Sequence, residues 1–178
     1  MPPATLHVIG IDPGGTTGWA RFTVPRKCLF GNAPSAVLEW DHGEFYGSEI
    51  NQTQAIARMV REIQSLDYQV GPALVVEDWT IMINNVTTDP ESLSPVRIAA
   101  MLQYAKFRGE LGDATITLQD RGIAKQTMTD ERLQRAGYYV RGSDHVRDAT
   151  RHAITALRRA RDSDELRDEM WNARACTI

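Results

Sequence analysis

The strongest constraint on this chain's fold is a short, mostly apolar run, residues 6–11 (Leu-His-Val-Ile-Gly-Ile), that stops at Asp12-Pro13-Gly14-Gly15. Such a run is too short for a helix and too apolar for a surface loop, so it reads as a buried strand. The Pro-Gly-Gly that follows demands a tight turn. A carboxylate is thereby delivered to the end of a core strand. The pattern recurs after Gly71-Pro72, where residues 73–76 (Ala-Leu-Val-Val) run into Glu77, Asp78 and Trp79. Two buried strands that each end in acid predict an α/β sheet with its chemistry at the C-terminal strand ends.

The remaining pattern fills in that sheet. Residues 19–24 read as the hairpin partner of the first strand, and residues 37–45 as a third strand of an antiparallel meander. Ile56, Met59, Val60, Ile63 and Leu66 then fall at helical spacing behind a cap at Asn51. Residues 80–94 show no period and predict a long loop of the kind that carries function. Ser94-Pro95 supplies a cap and a first-turn proline for a second helix with Ile98, Met101, Leu102 and Ala105 inward. Residues 114–118 alternate as a half-buried strand does, and a short helix over 128–136 ends at Gly137. Ser143 caps a last helix reaching residue 161, with Val146, Ala149, Ala153, Leu157 and Ala160 inward.

The sum is a mixed five-stranded sheet flanked by helices, an antiparallel meander followed by parallel strands. A right-handed crossover sets strands one and four side by side and parallel. One domain spans residues 1–162, and residues 163–178 form a helical or frayed tail to which no chemistry is assigned.

Composition narrows the function classes. A chain of 178 residues, 42% hydrophobic, supports one compact domain and is short for two. The two cysteines, Cys28 and Cys176, match no metal or redox spacing, so a disulfide framework and a zinc site are not indicated and a reducing cytoplasm is expected. No run approaches the roughly 20 apolar residues of a membrane span, and the opening residues lack a signal-peptide layout, so no membrane partner is expected. The net charge of −3 is a weak argument against a nucleic-acid partner, because arginines gather at 141, 147, 151, 158, 159 and 161 and an acidic metal site carries its own negative charge. Of the 20 basic residues 17 are arginine, which favours bidentate phosphate contacts; a GC-rich genome explains that bias equally well.

Asp12 and Glu77, on separate strands, can share a cation. The third contribution comes from the first turns of the last helix, where His145 and Asp148 stand at i and i+3 and face the same way. Hard cations such as Mg²⁺ and Mn²⁺ prefer oxygen ligands, and a pair of them can activate a water and stabilise a departing oxyanion. Asp12, Glu77, His145 and Asp148 are therefore the expected catalytic and metal-binding set for two ions per site. Each residue alone has a plainer explanation. Asp12 also suits a metal-free turn, and Asp144, beside His145, suits the helix dipole and competes as the fourth ligand.

These motifs resemble the RuvC family of the RNase H-like superfamily. Val8 to Gly14 with Thr17-Gly18 is similar to the family's opening strand and turn, Leu74-Val75-Val76-Glu77 to its second acidic strand, and His145-Val146-Arg147-Asp148-Ala149 to its closing helix. Ile123-Ala124-Lys125-Gln126-Thr127 resembles a family segment whose lysine lies close to DNA. The resemblance implies an RNase H-like fold, a homodimer in the bacterial cytoplasm, Mg²⁺ dependence, and symmetric nicking of four-way (Holliday) junctions in recombination and repair. It makes Lys125 a phosphate contact. Arg147 and Arg151, on the flank of the last helix, are expected to hold backbone phosphates, a solvated face being the alternative. The residues after Glu77 do not reproduce the family's aromatic wedge; Trp79 is expected either to stack on an opened base or to lie in the core. The compact size fits a phage-type relative that also accepts forks or flaps.

Three other readings remain open. A branched-DNA binding module would keep the fold without chemistry, and another RNase H-like nuclease would cut RNA–DNA hybrids. A sugar-kinase or actin-like domain shares the opening phosphate-hairpin pattern but needs a longer chain.

Overall fold

The computed structural model describes residues 5–30, 36–66, 70–79 and 90–171. Five strands form one sheet in the order β3-β2-β1-β4-β5: β1 (Thr5–Asp12), β2 (Thr17–Pro25), β3 (Glu39–Phe45), β4 (Ala73–Asp78) and β5 (Thr115–Asp120). β1 pairs antiparallel with β2 and β2 with β3, whereas β1–β4 and β4–β5 are parallel. The mixed sheet predicted by the meander and the crossover is the one observed. Among the helices are α1 (Lys27–Phe30), α2 (Glu49–Leu66), α3 (Ser94–Phe107), α4 (Arg121–Thr127), α5 (Asp130–Ala136), α6 (Asp144–Asp162) and α7 (Asp164–Trp171).

Strand parity divides the core in two. Ile9 and Ile11 of β1 and Leu74 and Val76 of β4 pack with Ile56, Val60 and Ile63 of α2 and Ile98 and Leu102 of α3. Leu6 and Val8 of β1 with Ala73 and Val75 of β4 face the other way, against Ala149, Ala153 and Ala156 of α6, joined by Phe22, Leu133 and Trp171. Each fully buried Ile, Leu or Phe adds roughly 1.5–3 kcal/mol, and both layers draw on the same two strands, which fixes their register.

α6 lies against the sheet at a distance that only glycine permits. A Cβ on Gly10 would sit 2.0 Å from the Ala149 carbonyl oxygen, and one on Gly18 would sit 2.2 Å from the backbone of His145. The two glycines let the first turns of α6 meet the ends of β1 and β2.

Several boundaries differ from the sequence reading. α2 starts at Glu49 rather than behind Asn51: Ser48 Oγ accepts the Asn51 amide at 3.3 Å, so the serine is the cap. Ser94 is already helical, after a 3₁₀ turn at Pro90–Leu93, and its hydroxyl donates to Glu49 at 3.0 Å, joining α3 to α2. The helix expected over 128–136 is α5, and a further helix that the sequence did not announce, α4, lies just before it. Asp120 caps α4 by accepting the Ile123 amide, and Thr129 caps α5, which ends at Gly137 with φ +79° as its position predicts. Ser143 caps α6 as expected, accepting the Val146 amide at 3.0 Å. Residues 164–171, expected as helical or frayed, are helical and close the core: Trp171 is buried and donates its indole N–H to the His7 carbonyl at 3.2 Å. The expected loop over 80–94 lies outside the described residues up to 89, as does the Leu66 side chain. No helix among the described residues is long and apolar enough to cross a membrane.

Candidate metal centre

The parity that builds the core also builds the site. Asp12 continues the series Leu6, Val8, Gly10 and Glu77 continues Ala73, Val75, so both carboxylates emerge on the α6 side of the sheet. Ile11 pairs with Val76 in the parallel ladder, which places the two acids one step on and side by side. Asp148, in the second turn of α6, arrives from above. Carboxylate oxygens of Asp12, Glu77 and Asp148 all lie within 4.8 Å of one another, and all three residues are buried.

Three buried carboxylates this close together need compensation. α4 supplies part of it. Lys125 Nζ lies 3.0 Å from Asp148 Oδ2, and Arg121 lies 3.5 Å from Asp148 and 3.8 Å from Glu77. Arg151 binds Asp148 from the same helix. Burial alone would raise the Asp148 carboxyl, but Lys125 and Arg151 outweigh it and hold the group below the usual carboxylate range. Asp12 behaves oppositely. Burial, reinforced by the charges of Glu77 and Asp148, pushes its carboxyl up despite a hydrogen bond with His145. His145 Nδ1 stands 2.8 Å from Asp12 Oδ2, and that hydrogen bond raises the imidazole against the opposing effect of burial.

The donor set fits hard divalent cations. It is all oxygen, convergent and buried, and the burial that chiefly raises the Asp12 carboxyl, with the charges of Glu77 and Asp148 adding to it, is a cost that a bound cation would offset. Asp12, Glu77 and Asp148 would hold such ions. His145 reaches the set through Asp12 rather than lying within the convergent oxygens, and its ring is partly exposed at an open recess of about 490 Å³ shared with Gly15, Thr16, Gln52 and Ser94.

The other expected residues take distinct positions. Lys125 is at the centre, half-exposed on α4. Trp79 is partly exposed just past Glu77. Arg151 does not lie on a solvent-facing flank. It is buried, donating to Asp148, to Asp130 and, at 2.9 Å, to the Met128 carbonyl. Arg147 is also mostly covered, holding Asp144 and the Val140 carbonyl and stacking on Tyr139. Their guanidinium charge is spent inside the fold, tying α6 to α5 and to its own first turn. Asp144 points its carboxylate to Arg147 and is exposed.

The sequence assigns no role at the centre to Arg121 or Gln119, and His152 alone reads as a surface or partner-bonded histidine; the structure shows it partner-bonded. Arg121 precedes Lys125 by four residues, one helical turn, and His152 follows Asp148 by four, so both carried a spacing signal that depended on knowing which faces meet. His152 Nε2 lies 3.0 Å from Glu77 Oε2, and Gln119 lies 3.0 Å from the other ring nitrogen.

No family model matches the chain, and no curated protein matches it in sequence. Solved structures do. RuvC of T. thermophilus in complex with a Holliday junction substrate superposes with a TM-score of 0.57 at 18% identity, covering 89% of this chain and 96% of that one. A second Thermus thermophilus RuvC structure gives 0.58 at 20% identity, covering 88% and 96%. The chain thus has the α/β, RNase H-like fold of RuvC over most of its length.

Proposed function

We propose that this chain is a divalent-metal-dependent endonuclease that nicks branched DNA, four-way junctions foremost, at a centre built from Asp12, Glu77 and Asp148. The observation that carries this reading is the convergence of three buried carboxylates beside a cation-bearing helix, on a fold whose solved neighbours include a RuvC–Holliday junction complex.

Mg²⁺, with Mn²⁺ as substitute and two ions per site, fits an oxygen donor set of this charge. Bound there, such ions supply a water of lowered pKa and stabilise the leaving oxyanion. The chain's own groups do the rest. His145 has Nδ1 committed to Asp12, so its other ring nitrogen is the one free to hold a proton for the attacking water or the departing oxygen. Lys125 and Arg121, on one face of α4 at the mouth of the centre, are the phosphate contacts, and they restrain Asp148 and Glu77 while no phosphate is present. Trp79 would stack on a base opened at the branch point, a role that its partial exposure next to the Glu77 strand end supports. Two matched nicks in a symmetric junction require two centres, which a homodimer in the bacterial cytoplasm supplies.

The test is nicking of an end-labelled synthetic four-way junction with Mg²⁺, comparing wild type with Asp12→Asn. Wild type cuts, and the variant keeps junction binding but loses more than about a hundredfold in rate, beyond what disturbing an outer partner of a ligand costs. Junction binding without cleavage by wild type in either Mg²⁺ or Mn²⁺ would leave a non-catalytic binding module. Preferred cutting of an RNA–DNA hybrid would move the chain to another RNase H-like activity.

A further inference from the structure

Glu77 is buttressed from inside the protein by a histidine whose tautomer is fixed by its neighbours. His152 is 1% exposed, with Nε2 3.0 Å from Glu77 Oε2 and Nδ1 3.0 Å from Gln119 Nε2. A third contact decides which ring nitrogen carries the proton. Gln119 Nε2 also lies 3.3 Å from the backbone carbonyl oxygen of His152, a group that only accepts. The Gln119 atom between them is therefore the amide nitrogen, which only donates. Nδ1 must accept, so the single proton of the neutral ring sits on Nε2 and is donated to Glu77 Oε2.

The fold places these groups together by register. Glu77 and Gln119 are partners across the parallel β4–β5 ladder, and His152 is one turn beyond Asp148 on α6. None of the three is an obvious surface residue: Glu77 is 3% and Gln119 2% exposed.

We propose that His152 is a positioning residue for the metal centre: held as the Nε2–H tautomer by Gln119, it occupies Oε2 of Glu77 and leaves Oε1 as the oxygen offered to a divalent cation. The proposal rests on the reading of Asp12, Glu77 and Asp148 as metal ligands. A glutamate has three side-chain torsions and can present either oxygen or both. Engaging one oxygen from behind selects a single presentation before any ion arrives, which spares that ordering cost on binding. A neutral donor does this without placing a full positive charge next to the ion. The oxygen left over, Oε1, is the one nearest Arg121, on the α4 side where substrate phosphates would arrive.

The experiment measures Mn²⁺ binding to the full chain without DNA, from the paramagnetic resonance signal of free Mn²⁺, with melting temperatures recorded alongside. His152→Leu, which fills the space without an N–H, weakens Mn²⁺ binding by about ten- to a hundredfold, and His152→Gln, whose amide nitrogen can replace the donor, restores most of it. Gln119→Met is the milder second variant should His152→Leu fail to fold; it leaves the ring but removes its lock, and affinity drops several-fold. In wild type, ¹⁵N NMR of the histidine rings finds Nε2 of His152 protonated and Nδ1 bare at neutral pH. Mn²⁺ affinity unchanged in folded His152 and Gln119 variants, while Asp12→Asn loses it, overturns the proposal alone, as does a proton on Nδ1. Unchanged affinity in Asp12→Asn overturns the metal-site reading itself.

Discussion

At the scale of single residues, the centre is a set of opposed electrostatic demands. Asp12 is pushed up by burial and by its acidic neighbours, and His145 is raised by its bond to Asp12, so in the folded, metal-free protein this pair holds protons more tightly than in the unfolded chain. Folding then takes up protons between each group's unfolded and folded titration, and stability is lost as pH rises through the folded values. Asp148 works the other way. Held low once Lys125 and Arg151 outweigh its burial, it contributes stability above the ordinary carboxylate range and loses it only in stronger acid. Metal-free protein is therefore expected to melt lower at about pH 8 than at about pH 6, the window around an ordinary histidine. Added Mg²⁺ or Mn²⁺, which binds deprotonated ligands, should stabilise more at the higher pH. Thermal melts with and without the ion check this, and a metal-induced shift independent of pH would contradict it. Much of this was legible in the sequence. Asp12 and Glu77 stood out because each ends an apolar strand, and Asp148 because it lies in a capped helix. Arg151 was misplaced because an arginine on a helix shows its partners, here Asp148, Asp130 and the Met128 carbonyl, only once α5 is folded against α6.

At the scale of elements, α6 is the part that assembles the site, and two glycines decide how near it comes. Gly10→Ala would set a methyl group 2.0 Å from the Ala149 carbonyl, against helix backbone that cannot turn aside. The expected cost is about 1–3 kcal/mol or more of stability in denaturant melts, together with weaker Mn²⁺ binding as Asp148 is carried away from Asp12. Gly15→Ala, in the same strand–turn unit, meets nothing within 4 Å and is expected to stay within about 0.5 kcal/mol of wild type. Equal, negligible effects of the two substitutions would show that α6 tolerates a wider spacing. The periodicity of α2, α3 and α6 was readable because each has one apolar face. α4 was not, since among its seven residues Ala124 alone is buried, and its evidence lay in a cap, Asp120 three residues before Ile123. That missed helix carries both Lys125 and Arg121, which is why the lysine was found by resemblance and the arginine was not found.

At the scale of the whole molecule, one sheet serves two cores and one centre. The antiparallel half, β1 to β3, anchors the first turn of α6, where Ser143 bonds Glu44 of β3. The parallel half brings Glu77 and Gln119 into line with Asp12. The mixed topology followed from two things in the chain, short turns between the first strands and long helical returns between the later ones. What the sequence could not supply was the inward bracing by His152 and Gln119, because it joins residues whose proximity exists only after α6 has docked on β4 and β5. The proposed chemistry requires a divalent cation held by the carboxylates of Asp12, Glu77 and Asp148 together. Crystals grown with Mn²⁺ and measured for anomalous scattering at the manganese edge test this most directly: density is predicted between Asp12, Glu77 and Asp148, in contact with an oxygen from each. Manganese density only at other places, with those three carboxylates still paired to Lys125, Arg121 and His145, would contradict it.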